Sequence, residues 1–403
     1  MYKPLPLDAI ALNQPVPVNV WDPKGVLLLR KGEAITSEQH RGHLMLHSPM
    51  VDDADWQAWT YSYKAELDRM VRSNESLSRI AGLSHHVEVR ETRERQSAEE
   101  VGPAVAWPDL HASLSSLLHQ GADASQFPER LERLLWRARE LWRVGPDDSL
   151  LVLVQLLFDQ RMAYSATHAL LSAGLCDMVA PSTGLSVSEQ STLFRAALTM
   201  NIGMTRVHDG LARQAGELTD AQRNTVRQHP LLGARLLRRL GIDDPFWLSL
   251  VEEHHEQPDG SGYPSGKAVN DLAQRLLQMA DVYVACISPR QSRGGLLSQN
   301  VARELYLGAD QKPDPLGALF VKSVGFYPPG SYVRLANDEV AVVVKRGERA
   351  NTPVVCSIVG RQGLPLGEPV MRDTANPVFE VRASLAPGEV RVVVNVAKLL
   401  SRT

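Results

Sequence analysis

The chain has 403 residues, 44% of them hydrophobic and 22% charged, with a formal net charge of −3. That length has room for two or three domains, each burying its own core, and the near-neutral balance offers no general polyanion surface, so neither DNA nor RNA is an expected partner. The three cysteines, Cys176, Cys286 and Cys356, lie far apart with no CxxC pair, which argues against a disulfide framework or zinc ribbon and fits a reducing compartment.

The N-terminus lacks a basic stretch followed by an apolar one, so no signal peptide is expected. Residues 1–52 read as a small β-rich module. Val16 to Trp21 alternates, Asp22-Pro23-Lys24-Gly25 is a turn, and Val26 to Leu29 returns as a second strand. Thr36-Ser37-Glu38-Gln39 resembles a capping box opening a short helix. Residues 53–107 are expected to hold a helix over Ala54–Val71 and then a solvated linker centred on Arg90-Glu91-Thr92-Arg93-Glu94-Arg95.

From 108 to 326 the helical period dominates. Leu131, Leu134, Leu135 and Ala138 follow i, i+3, i+4, i+7 spacing after Pro128. Leu150 to Phe158 is apolar apart from Gln155 but too short to span a bilayer, so the expected setting is cytoplasmic, without a membrane span. Thr219 with Gln222 predicts a capped helix running towards His229, and the apolar period of Leu272, Leu276, Met279, Ala280 and Tyr283 predicts a helix from Asp271 to Ile287. After Tyr327-Pro328-Pro329-Gly330, residues 327–403 turn strand-like at 332–335, 340–344, 353–359, 378–381 and 390–396. The expected class is multidomain α+β, an all-α bundle flanked by a small N-terminal β-rich module and a C-terminal β-rich extension.

Two segments carry potential chemistry. His254-His255-Glu256 is followed by the glycine-permitted loop Asp259-Gly260-Ser261-Gly262-Tyr263-Pro264. Adjacent histidines at a helix end are equally compatible with solvent or backbone hydrogen bonds, and the loop alone is compatible with an ordinary turn. Together they closely resemble the signature of HD-GYP domains, a branch of the HD superfamily. Tyr164-Ser165-Ala166-Thr167-His168, Leu218-Thr219, His229-Pro230-x-x-Gly233 and Gln274-Arg275 through Asp281 follow that pattern in order, and Tyr327-Pro328-Pro329-Gly330-Ser331-Tyr332-Val333 resembles the extension that often follows it.

The resemblance implies an all-helical bundle that hydrolyses cyclic di-GMP with iron, manganese or other divalent ions. It places metal ligands at His229, His254, His255 and Asp281, with His168 as a further ligand of trinuclear members. It also implies that Arg290, Arg293, Gly262 and Tyr263 meet the nucleotide, and that Gly262, Tyr263 and Pro264 meet diguanylate cyclase domains. Three positions depart: Met200 stands for a ligand histidine, Asn201 for the bridging aspartate, and Met204 for a phosphate-holding lysine. Tyr164 also stands where trinuclear members carry a ligand glutamate. A thioether is a poor ligand for such ions and an amide brings no bridging charge, so no catalytic residue is assigned. Met200 and Met204, spaced i, i+4 on one expected helix, read as core filling. His208 in Val207-His208-Asp209-Gly210 is a shifted His-Asp pair in an expected loop and is set aside.

The expectation is a catalytically impaired signalling protein of the bacterial cyclic di-GMP network, acting as a nucleotide-binding or protein-docking module with no metal or one divalent transition metal. A residual phosphodiesterase with a rearranged or mononuclear site, and a scaffold binding neither metal nor nucleotide, remain open alternatives.

Overall fold

The computed structural model describes residues 2–5, 12–13, 15–16, 18–22, 27–52, 102–307 and 312–402. The helix expected over 54–71, the charged stretch to 101 and most of the 22–25 turn lie outside the described residues. The chain forms two compact units, Met1–Ser97 and Ala98–Thr403. Its described part is mixed, with a large helical body and two small antiparallel sheets.

In the first unit, β1 (Tyr2–Pro4), β2 (Val20–Trp21), β3 (Leu27–Leu29) and β4 (Met50–Asp52) form an antiparallel sheet in the order β1-β4-β2-β3. The alternation seen in the sequence buries Val16, Val18 and Val20 with Leu29, Ile35, Leu44 and Val51. Among the described residues of that stretch, only 20–21 pair in the sheet. Helix α1 (Glu38–Leu46) is capped by Ser37, whose Oγ accepts from His40 N at 3.1 Å, so the cap lies one residue beyond Thr36.

The second unit begins with α2 (Pro103–Gln120), whose first turn takes in the last residues read as linker and buries Ala106 and Trp107. There follow α3 (Phe127–Val144), α4 (Pro146–Phe158), α5 (Tyr164–Val179), α6 (Val187–Thr199) and α7 (Thr205–Ala212). Next come α8 (Asp220–Arg239), α9 (Pro245–Glu253), α10 (Leu272–Ile287), α11 (Ser298–Leu307) and α12 (Pro315–Val324). In α3 the buried stripe is Leu131, Leu135, Ala138 and Leu141/Trp142, as the period predicts. Helix α5 is buried on nearly every face and forms the centre of the body. A Cβ on its Gly174 would stand 1.8 Å from the Trp142 ring, so only glycine lets α3 and α5 approach. The capping box of Thr219 and Gln222 opens α8 as expected, and Asp271 caps α10. No helix among the described residues is long and apolar enough to cross a membrane.

Strands β5 (Tyr332–Leu335), β6 (Val340–Lys345), β7 (Val354–Val359), β8 (Pro365–Asp373) and β9 (Val381–Leu385) form the second sheet, ordered β8-β7-β6-β5-β9. It is joined to the helices through α4: Gln155 Nε2 donates to Gly330 O at 2.7 Å, and the Tyr332 hydroxyl donates to Gln155 Oε1 at 3.1 Å. Two expected strands are corrected. Residues 377–379 form a 3-10 turn before β9, because Pro377 has no N–H for a ladder. Val390, Val392 and Val394 alternate and pack against the sheet core without ladder pairing, before a short helix α13 (Val396–Leu400).

Candidate metal centre

Helix α8 brings His229 inward on the face it shares with Pro230, Gly233 and Ala234. Pro230 has no N–H, so it leaves free the carbonyl four residues earlier, that of Val226. His229 Nδ1 takes that acceptor at 2.6 Å. The same logic operates where α9 ends. His254 is its C-cap residue, and His254 Nδ1 donates to Val251 O at 2.8 Å, one of the carbonyls that a helix terminus leaves without a partner. The adjacent histidines therefore close a helix rather than occupying two positions within it.

Both Nδ1 atoms face carbonyls and must carry the hydrogen, which leaves both Nε2 atoms as bare lone pairs in the neutral rings. These two Nε2 atoms lie 3.1 Å apart. Lone pairs so placed repel unless a cation lies between or beside them. Burial, reinforced by neighbouring His255, lowers the His229 pKa to about 3, and burial takes His254 well below its ordinary value, so a proton does not fill that role near neutrality. Two nitrogens bound at about 2.0–2.1 Å to one ion at a near right angle would stand about 3 Å apart. The donor pair fits a metal.

His255 completes a cluster in which ligand atoms of His229, His254 and His255 all lie within 4.8 Å of one another. Its ring has little hydrogen-bond support, with Nδ1 3.9 Å from Asp281 Oδ2, and is positioned mainly by stacking on Tyr263 at 4.4 Å and 24°. Arg227 lies over the Tyr263 ring, its guanidinium carbon 5.8 Å from the centroid. Asp281, from α10, accepts from His168 Nε2 at 2.8 Å. Burial alone would raise the Asp281 carboxyl, but the bond from His168 and the charges of His168, His255 and His254 hold it well below the usual carboxylate range.

The loop after α9 is pinned to this cluster. The Glu256 carboxylate accepts from Ser265 N at 2.7 Å and Lys267 N at 3.1 Å, while Gln274 and Gln278 hold the Glu256 carbonyl. A Cβ on Gly262 would stand 2.4 Å from His255 O, so glycine is required there. Pro264, half-buried, follows Tyr263 in the same loop.

The departing positions lie close by. Met200 is fully buried and belongs to the main core. It caps α6, and a 3-10 turn at Ile202–Met204 follows, so Met200 and Met204 do not share one helix. Asn201 is 7% exposed and its Oδ1 has no hydrogen-bond partner among the described residues. Gly203 locks this segment to α8, since a Cβ there would meet His229 O at 2.4 Å and Gly233 N at 2.6 Å. Gly203→Ala is therefore expected to destabilise the protein by about 3 kcal/mol through overpacking. Urea unfolding measures this, and a loss under 1 kcal/mol would mean the turn yields freely.

The rings of Tyr164 and His208 stand against that of His168, with centroids 5.4 and 5.3 Å away. Tyr164 Oη meets His168 Nδ1 at 3.1 Å and accepts from Arg290 Nη2 at 3.0 Å. Arg293 instead donates to Ala285 O at 2.8 Å, close to the carbonyl end of α10. His208 requires correction: it lies on helix α7, not in a loop, is buried, and stands edge-on to Tyr164 with ring centroids 4.6 Å apart. Its neighbour Asp209 accepts from Ser165 N at 2.7 Å and pairs with His119 at 2.9 Å, tying α5 to α2 and α7. The signal available in the sequence was the His-Asp pair itself, displaced by the intervening 3-10 turn.

Residues 151–315 match the HD domain family. This helical region is an HD domain. The chain is 32% identical over 157 residues to a cyclic di-GMP phosphodiesterase of Pseudomonas aeruginosa, covering 38% of each protein. It is 29% identical over 150 residues to a 3'3'-cGAMP-specific phosphodiesterase of Vibrio cholerae, covering 37% of this chain and 35% of that one. A cyclic di-GMP phosphodiesterase response regulator of Xanthomonas campestris is 31% identical over 144 residues, covering 34% of this chain and 37% of that one. The chain spans little more than a third of the length of these relatives.

Proposed function

We propose that the HD domain binds a cyclic dinucleotide beside a single divalent ion and is impaired in hydrolysing it. His229 and His254 would hold the ion, with His255 and Asp281 completing the set and His168 orienting Asp281. The observation that carries this reading is the pair of Nε2 lone pairs 3.1 Å apart; the carboxylate of the set, Asp281, has Oδ2 3.9 Å from His255 Nδ1. Two divalent ions need more negative charge than one carboxylate supplies, and Asn201 brings none. A divalent ion held there would neutralise a phosphodiester oxygen and acidify bound water. Iron or manganese suits imidazoles joined to a carboxylate.

The ligand class rests on the names of the relatives, which include phosphodiesterases for cyclic di-GMP and for 3'3'-cGAMP. Nucleotide binding is favoured over docking of a diguanylate cyclase domain because the Tyr263 ring is turned onto His255. Elemental analysis of the manganese-loaded protein is expected to find about one ion per chain. Calorimetry should detect cyclic di-GMP binding, with no linear product after prolonged incubation. Two ions per chain with linear product would establish an active binuclear enzyme instead; one ion with product would favour the mononuclear phosphodiesterase. Neither metal nor nucleotide would leave a scaffold.

A further inference from the structure

We propose that α2 regulates the metal centre through a latch in which a positively charged His119 holds Asp209 on the start of α5, an inference that rests on the metal-binding reading above. Helix α5 opens without a cap of its own, because Ala163 stands at its N-cap position and has no side-chain oxygen. Asp209 supplies one from α7: its Oδ1 accepts from Ser165 N at 2.7 Å. The other oxygen, Oδ2, lies 2.9 Å from Nε2 of His119, in the last turn of α2. A second α2 histidine reaches the same place, His111 Nε2 donating to Ala163 O at 2.9 Å. One turn along α5 from Tyr164, His168 Nε2 donates to Asp281 beside the histidine cluster. Helix α2 thus grips both sides of Tyr164, at the root of the helix that presents His168. It does so from outside residues 151–315, which match the HD domain.

The geometry sets the charge of His119. Nε2 faces the Asp209 carboxylate and Nδ1 faces Ser115 O at 2.8 Å, so both nitrogens meet acceptors and both must carry hydrogen. A neutral ring would turn a lone pair onto one of those oxygens. The Ser115 hydroxyl, 3.4 Å from Nδ1, is too distant to reverse that. The carbonyl end of α2 further favours a cation. Burial opposes the charge, yet the Asp209 carboxylate and the Ser115 carbonyl outweigh it and hold the His119 pKa above its usual value. Arg206, whose Nη2 donates to His119 O at 3.2 Å, works against them. His111 differs: burial lowers its pKa, and its Nδ1 has no partner among the described residues, so it stays neutral at pH 7. The ionisable groups acting on the His119 ring are therefore Asp209 and Arg206 from α7 and His111 from α2. The latch is complete below pH 6.5 and is lost as the pH rises through the raised pKa of His119.

The test compares His119→Gln with wild type in the full chain from pH 6 to 9. Glutamine keeps an N–H donor for Asp209 but cannot become charged. Imidazole nitrogen resonances, with His119 identified by its loss in the variant, should show a doubly protonated ring in wild type at pH 7. In chelator, wild type should unfold about 2–4 °C above the variant at pH 6, and the gap should close as the pH rises. The His168 resonances should shift in the variant, which reads the root of α5 without metal. Manganese affinity of the variant should be about fivefold below wild type at pH 6, short of the 10- to 100-fold lost with a direct partner of a ligand. That ratio should approach one at high pH; protonation of the clustered histidines affects both proteins and cancels. Asp209→Asn should return the His119 pKa towards its usual value, which covers a failure of the glutamine variant to fold. A neutral His119 at pH 7, or a stability gap indifferent to pH, overturns the latch. A manganese ratio of one at every pH, with His119 charged and His168 unmoved, overturns its coupling to the centre and leaves the metal reading standing. Wild type that binds no manganese removes the metal reading, while the chelator gap and the His168 resonances still decide the latch.

Discussion

His254→Ala should abolish the stabilisation that manganese gives the wild-type protein. A ligand that binds only the folded state adds about 2.7 kcal/mol when present at a hundred times its dissociation constant. Wild type should therefore unfold at a distinctly higher temperature with manganese than with a chelator. The variant removes one of two lone pairs 3.1 Å apart, and its affinity should drop by more than the roughly 10- to 100-fold that follows loss of an outer-shell partner. In chelator the comparison reverses part of the expectation. There the wild-type protein has two facing lone pairs and gains nothing from them, so relief of that repulsion offsets some of the lost packing. The gap between variant and wild type should thus be smaller in chelator than in manganese. Differential scanning calorimetry under both conditions gives the four values. Equal gaps would show that His254 does only structural work.

Much of the local structure around the histidine cluster was legible because local rules and the motif agreed. The His-Pro pair at 229–230 is one device: the proline frees the Val226 carbonyl that fixes the histidine tautomer. The Thr219 and Gln222 capping box was readable from residue type alone, and α10 from its apolar period. His208 was not, because its placement depends on a 3-10 turn at 202–204 that periodicity does not reveal, and on α7 packing across α5. The role of Arg290 is likewise tertiary: its donor to Tyr164 spans 126 positions of sequence. Strand β8 escaped notice because it is an edge strand with Pro365, Gly367 and Pro369 and an exposed face, which removes the apolar alternation. Val390 to Val396 misled in the opposite sense, since alternation there serves one-sided packing without a pairing partner.

Asn201→Asp should make metal affinity and metal-free stability change in opposite directions. Asn201 is 7% exposed, its Oδ1 is unpartnered, and Gly203 locks the following turn against the His229 carbonyl. A carboxylate placed there loses hydration without gaining a fixed hydrogen bond, so in chelator the variant is expected to be about 2 kcal/mol less stable than wild type. With manganese the added carboxylate attracts the ion and offers it an anionic oxygen, and affinity should rise on the order of tenfold or more. The stability order in chelator should then narrow or invert as manganese is added. Adding Met200→His to this change introduces a nitrogen ligand but removes a fully buried core side chain, at a further cost of about 1–3 kcal/mol. If position 201 is the missing bridge, only the double variant in manganese should approach two ions per chain and yield linear dinucleotide from cyclic di-GMP. Loss of stability without any gain in manganese affinity would mean that residue 201 does not face the histidine cluster, and the account of impaired hydrolysis through a lost bridge would have to be abandoned.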